Sequence, residues 1–199
     1  MNFIQISVER AMSMCARLRQ FVSKDRSGNA AIEFALIAPI LTIILAGSTD
    51  LGLLIFSRFQ LEATISNSAS YAMVHADQVD SKSGEDLATK IATIIASEDA
   101  SGEATASIVV NNGAKASYAG NRIKLGGAAS QANACYCPTG TASSLIWGQQ
   151  QSCGTPCPDG VPAGKYVAIT AKQAYAPLFS SYGFVKDGFI YASAIVQTQ

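Results

Sequence analysis

Phe34 to Thr49 reads FALIAPILTIILAGST, sixteen consecutive residues without a charged side chain. Across the wider interval between Arg26 and Arg58 only Glu33 and Asp50 carry charge. Ser27 to Ser57 is 31 residues, which as helix is about 46 Å, more than the roughly 30 Å of a bilayer's hydrocarbon core. The stretch predicts a membrane-spanning helix over residues 29–57, its surplus projecting at one or both ends. The competing reading is a buried helix of a soluble protein, a setting in which such a length seldom lacks charge.

Charge elsewhere in the chain gives this helix a direction. The 199 residues are 49% hydrophobic and 14% charged, well under the roughly 25% charge of an ordinary globular domain. Fourteen basic and fourteen acidic residues cancel, and without a basic cluster there is no electrostatic footprint for nucleic acid. The apolar content also excludes a disordered chain. Residues 1–28 hold Arg10, Arg17, Arg19, Lys24 and Arg26 against Glu9 and Asp25, a net of +3, and the remainder carries −3. The positive-inside rule then keeps the leader cytoplasmic and exports the part of the chain beyond the helix. In the leader, Ile4, Val8, Ala11, Cys15, Leu18 and Val22 recur at steps of four and three, with Arg10, Arg17 and Lys24 on another face. That is either a basic amphipathic helix lying on anionic lipid or simply a positive leader.

Glu33 stands one turn inside the apolar helix, where a carboxylate is costly unless it is paired or reaches the interface. Snorkelling to the headgroups is the simple solution. A second comes from its neighbours. Arg26-Ser27-Gly28-Asn29-Ala30-Ala31-Ile32-Glu33-Phe34-Ala35-Leu36, with Pro39, resembles the N-terminal signature of the TadE-like family, the pseudopilins of the tight-adherence (Flp, type IVb-like) pilus machinery. The resemblance implies a pilin-like fold and cleavage of the Gly28–Asn29 bond by a membrane-embedded prepilin peptidase. It also makes Glu33 the acid that guides subunit packing, with Phe34 where major Flp pilins more often have tyrosine. Cleavage would create an α-amino group at Asn29, about one turn from Glu33 and from the Glu33 of a neighbour, and an ammonium there relieves the buried acid. Ala31, Ala35 and Ala38 form a small-residue face that admits another helix closely, or are ordinary membrane-helix composition. Pro39 removes one helical hydrogen bond.

Beyond Arg58 the period continues through Leu61, Ile65, Ala69 and Ala72 or Met73, so the helix is expected to run on as an amphipathic stalk to about His75. Ser83 with Asp86 reads as a capping box opening a second helix that ends near Ser97. Alternation then marks strands at Ala106 to Val110, Ser117 to Leu125, Val167 to Ala171 and Phe189 to Val196. The expected fold is α+β: a long N-terminal transmembrane and stalk helix, a second helix, and a mainly antiparallel head over 58–199. The run from Tyr166 to Tyr175, then Pro177-Leu178-Phe179 and Ala192-Ser193-Ala194, is similar to the terminal strands of TadE-like and TadG-like proteins.

Cys135, Cys137, Cys153 and Cys157 cluster in a Gly/Ser/Pro-rich insert at 130–162. In an oxidising compartment an even set reads as two disulfides. Joining Cys135 to Cys137 would strain so short a loop, so cross-links between the pairs are favoured. Zinc is the alternative, although C-x-C falls outside the usual spacing. Cys15 is left as a thiol in the leader. Trp147, with Leu145 and Ile146, is either a plug for this insert or a contact for a partner.

Little in the chain speaks for catalysis. His75 is the single histidine, with no nucleophile motif around it, and no phosphate- or dinucleotide-binding fingerprint occurs. Asp77/Asp80 and Glu85/Asp86 read as solvated loop acids or a weak cation site. The expectation is a non-enzymatic minor pilin or pseudopilin without cofactor or metal. It would be single-pass in the bacterial inner membrane with a periplasmic head, there or in an extracellular pilus. Its partners would be other pilins or pseudopilins, the pilus assembly platform and, if processed, the prepilin peptidase. The alternative is an uncleaved, permanently anchored binding or adhesion module.

Overall fold

The computed structural model describes residues 27–179, 183 and 185–199. The leader's amphipathic pattern and Cys15 lie outside the described residues. The chain divides into two compact units, Met1–Thr49 and Asp50–Gln199.

Helix α1 spans Ser27–Val74, 48 residues, and continues through Pro39. Its apolar part has a window of mean hydropathy 2.2 with no residue of that window buried. Ile32, Phe34, Leu36, Ile37, Ile40, Ile43 and Ile44 are each more than 60% exposed. The hydroxyls of this segment are satisfied locally. Thr42 Oγ1 donates to the Ala38 carbonyl at 2.8 Å and Thr49 Oγ1 to that of Leu45 at 2.9 Å, so they add no unmet polar group to an apolar setting. By length and composition the helix can cross a membrane.

Within the second unit the same helix becomes amphipathic. Leu54, Leu61, Ile65, Ala69 and Ala72 are buried on one face, the spacing of a helix with one side on a core. Of the pair at the end of the expected stripe, Ala72 is the buried member and Met73 is 51% exposed. After a 3-10 turn at Ala76–Gln78 comes α2, Gly84–Glu98. Leu87, Ala88, Ile91, Ala92 and Ile95 are all buried. Each of its larger aliphatics contributes about 1.5–3 kcal/mol of burial. The expected capping box does not form, because the Ser83 side chain makes no cap hydrogen bond. Asp80 instead holds the turn ahead of the helix: its Oδ1 accepts from the amides of Lys82 at 2.8 Å and Ser83 at 2.7 Å.

Five strands, β1 Ala104–Val110, β2 Ala114–Ala119, β3 Arg122–Gly127, β6 Tyr166–Ala174 and β7 Phe189–Gln197, make up the main sheet. Their order is β3-β2-β1-β6-β7, every neighbouring pair antiparallel. β1, the central strand, pairs Ile108 with Ala116 on one side and Ile169 on the other. One face, carrying Ala106, Ile108, Val110, Tyr118, Val167, Ile169 and Ile190, joins α2 and the lower half of α1 in a single core. The strand expected over Ser117 to Leu125 is two strands. Gly120 and Asn121, at φ of 56° and 59°, make a two-residue turn between β2 and β3, the left-handed geometry that fits strand twist. Between β3 and β6 lies the cysteine-rich insert, with a hairpin of its own, β4 Thr139–Thr141 and β5 Ser144–Ile146. The α+β architecture with its long apolar helix, second helix and antiparallel sheet is therefore present.

Candidate functional site

The chemistry singled out by the sequence sits at three places, each held by a different element. The first is the start of α1. Gly28 and Asn29 lie at the N-terminal end of the described part of α1. Glu33, Phe34, Ala31 and Ala35 are exposed, and Phe34 is 70% exposed. Ala38 is half-buried and Pro39 exposed. At about 100° per residue, Ala31, Ala35, Ala38 and Thr42 fall on one face, and Glu33 lies roughly 150° away with Ile37, Ile40 and Ile44.

The second place is Asp50, which sequence reading noted only as an interruption of the apolar run. It is 5% exposed. Its Oδ2 accepts the amide of Phe179 at 3.3 Å, and the Tyr175 hydroxyl donates to its main-chain carbonyl at 3.2 Å. The segment following β6 is thereby strapped to α1. Farther along, Thr64 on α1 donates its hydroxyl to Glu98 at the end of α2. Arg58 and Glu62 pair along α1 at 2.8 Å, half-exposed, a weak contact by its setting.

The third place is the insert. Its cysteines form cross-links between the two pairs, Cys135–Cys153 and Cys137–Cys157, with Cα separations of 5.0 and 5.6 Å. Among the described residues, the buried cluster around them adds only Ala163. Trp147 packs edge-on against Tyr136 with ring centres 5.7 Å apart, and Tyr136 is buried with its hydroxyl donating to the Gln131 carbonyl at 2.9 Å. Trp147 is thus half-buried as a local plug, while Ile146 stays 67% exposed. The insert is fastened to the sheet by a residue the sequence reading missed. Asn111 is fully buried at φ 48°. Its Nδ2 donates to the carbonyls of Ala132 and Ala134 at 2.8 and 2.6 Å, and its Oδ1 accepts the Tyr166 amide at 3.3 Å. Gly113 completes this turn, since a Cβ there would lie 2.6 Å from that of Ala132.

Several of the remaining titratable groups have structural partners. His75 ends α1, stacked on Tyr71 at 4.0 Å, with Nδ1 donating to the Tyr71 carbonyl at 2.9 Å. Asp80 is held below the usual carboxylate range, first by the Ser83 amide, against opposing burial, with further help from the Lys82 amide and the charges of Lys165 and Lys82. Asp99 is pushed up by burial, but hydrogen bonds from Ser101, Ala104, Tyr118 and Gly102 outweigh this and hold it low. Burial, and then Asp99, push Tyr118 up. Glu85 and Asp86 are exposed in the first turn of α2, where negative charge suits the helix dipole. Among the described residues no group of three or more His, Cys, Asp or Glu is placed to hold a metal ion.

Residues 28–70 match the family model described as TadE-like protein. The match begins at the glycine of the motif and runs through the apolar helix into the part of α1 that walls the core. No curated protein and no solved structure matches the chain.

Proposed function

From the TadE-like match we propose that this chain is a pilin-like subunit of a Tad-type pilus, a minor pilin or pseudopilin with a structural rather than enzymatic role in pilus assembly and surface adhesion. The observation that carries the reading is the match over residues 28–70, opening at Gly28 with Glu33 five residues on. In this reading α1 anchors the chain in the bacterial inner membrane, the +3 leader stays cytoplasmic, and Asp50–Gln199 is exported to the periplasm. Cross-linking of all four clustered cysteines supports export, because disulfides persist in oxidising compartments.

The packing role assigned to Glu33 has a geometric consequence. Glu33 and the Ala31/Ala35/Ala38 face diverge by roughly 150° around the helix, so one neighbouring helix cannot engage both. A helix using the two faces together has at least two neighbours, the arrangement of a filament or assembly core rather than of an isolated pair. Phe34, at 70% exposure, and the alanines present the small and apolar surfaces such neighbours need. Prepilin peptidase, other pilins or pseudopilins and the assembly platform are the proposed partners.

Intact-mass measurement of the protein extracted from membranes of cells with an active prepilin peptidase tests the processing step. The expected mass lacks residues 1–28. Recovery of the full-length chain alone would sink cleavage at Gly28–Asn29 and favour a permanently anchored adhesion or binding module.

A further inference from the structure

Sixteen charge-free residues from Phe34 to Thr49 rise about 24 Å as helix, about 6 Å short of a hydrocarbon core of roughly 30 Å. If α1 spans a bilayer, at least one of the acids bounding this run is drawn to the hydrocarbon. The two are built differently. Glu33 is exposed and can extend toward headgroups. Asp50 is buried, with Phe179 donating to its carboxylate and Tyr175 to its carbonyl. A carboxylate at such a depth is tolerated when it is hydrogen-bonded and covered.

The cover is apolar on its outer side. Residues 176–179 read Ala-Pro-Leu-Phe, without charge, and Leu178 and Phe179 are 76% and 39% exposed. On the turns of α1 just past Asp50, Leu53, Phe56 and Phe59 are 62%, 58% and 65% exposed. With Glu33 at the inner boundary, residues 50–53 complete the hydrocarbon crossing, and the next four residues cross an interfacial layer of about 6 Å. Arg58 and Glu62, the first oppositely charged pair after Asp50, then emerge at its watery edge. Leucine and phenylalanine are among the side chains that interfacial segments bury at the headgroup and acyl boundary.

We infer that the segment 176–179, strapped to α1 through Asp50, is a membrane-contacting loop. Leu178 and Phe179 enter the interfacial layer of the leaflet from which α1 emerges, and the occupant of this apolar collar is the lipid surface. Continuity with the charge-free run of α1 favours lipid, because the exposed apolar collar resumes at Leu53, within about one turn of the end of that run. The inference rests on the reading of α1 as a spanning helix, and the test separates the two.

Full-length protein carrying Trp147→Phe and Leu178→Trp is reconstituted into phosphatidylcholine vesicles with or without bromine on the acyl chains near the headgroup. The expected result is at least a twofold loss of tryptophan emission in the brominated vesicles, whereas Trp147 of the wild-type chain loses none. Phe179→Trp in the same background gives an independent reading should the first variant misfold by circular dichroism. Retention in the vesicles through an alkaline wash, with emission quenched by aqueous iodide and not by bromine, would overturn the loop's membrane contact and leave the anchor standing. Protection from both quenchers only at high protein-to-lipid ratio would overturn it in favour of a second copy. Release of the protein by the alkaline wash would overturn the anchor and the inference together.

Discussion

Asn111 shows how a single amide can decide whether two parts of a head hold together. Its side chain satisfies two carbonyls of the insert and one amide of β6 from a fully buried position. Asn111→Ala leaves all three partners unmet and puts alanine at a positive φ, so it is expected to cost about 2–4 kcal/mol. Urea denaturation in detergent micelles, followed by Trp147 emission, measures it, and a loss under about 0.5 kcal/mol would remove Asn111 from this role. Asp99 makes a prediction of opposite character. Its carboxyl is held below the unfolded value of about 3.9, so its stabilisation is complete above about pH 4 and is lost as pH falls through the lower folded value. Tyr118, raised above its unfolded value of about 10, contributes below that pH and loses its contribution as pH rises through the folded value. Melting temperature against pH is expected to fall on both sides. Asp99→Asn is expected to flatten the acid limb without abolishing it, since Asp80 is also held low. An unchanged acid limb would contradict the assignment. Gly28 and Glu33, the proposed processing and packing residues, draw attention in the sequence because they interrupt composition, a glycine after basic residues and an acid in an apolar run. Asn111 was not, because Asn-Asn-Gly reads only as a turn, and nothing local says that its amide reaches carbonyls 21 and 23 residues away.

At the scale of elements, periodicity carried most of the reading. The stripe Leu61, Ile65, Ala69 and the set Leu87, Ile91, Ile95 repeat at helical spacing and are buried as expected. Alternation placed β1, β6 and β7 within a few residues. It failed over Ser117 to Leu125, where Tyr118, Ile123 and Leu125 keep a strand-like composition through a turn. Register explains why: Ala119 faces Arg122 across Gly120 and Asn121, so the run folds back with its pattern almost undisturbed. The capping box failed for a different reason. Ser83 has the right residue type and spacing, but Asp80 Oδ1 already accepts the Ser83 amide that the box would offer to Asp86. The insert's small hairpin gave no signal, since Thr139–Thr141 and Ser144–Ile146 are too short for a period to show.

At the scale of the whole molecule, buried apolar residues among those described gather in a large cluster shared by helices and sheet and a small one of Cys135, Cys157 and Ala163. The small cluster buries too little apolar surface to hold its segment, and cross-links closing loops of 18 and 20 residues are worth about 3 kcal/mol each in unfolded-chain entropy. Reduction is therefore expected to free the insert while sparing the sheet. Hydrogen exchange of the reduced protein should show loss of protection within residues 135–157 and retained protection in β1 and β6. Uniform loss across the sheet would mean that the insert supports the head rather than hanging from it.

Leu54 to Ala72 of α1 belong to the core of the second unit, and this bears on how that unit could ever be shed. The polar turn after α1, at Ala76–Gln78, is where a protease would ordinarily sever a head from its stem. Cutting there strips the sheet of one of its two covering helices and exposes Ile108, Ile169 and Ile190 to water. A viable soluble fragment would have to be cut ahead of Leu54 and carry its aromatic collar with it. Shedding by limited proteolysis is thus penalised by the fold itself.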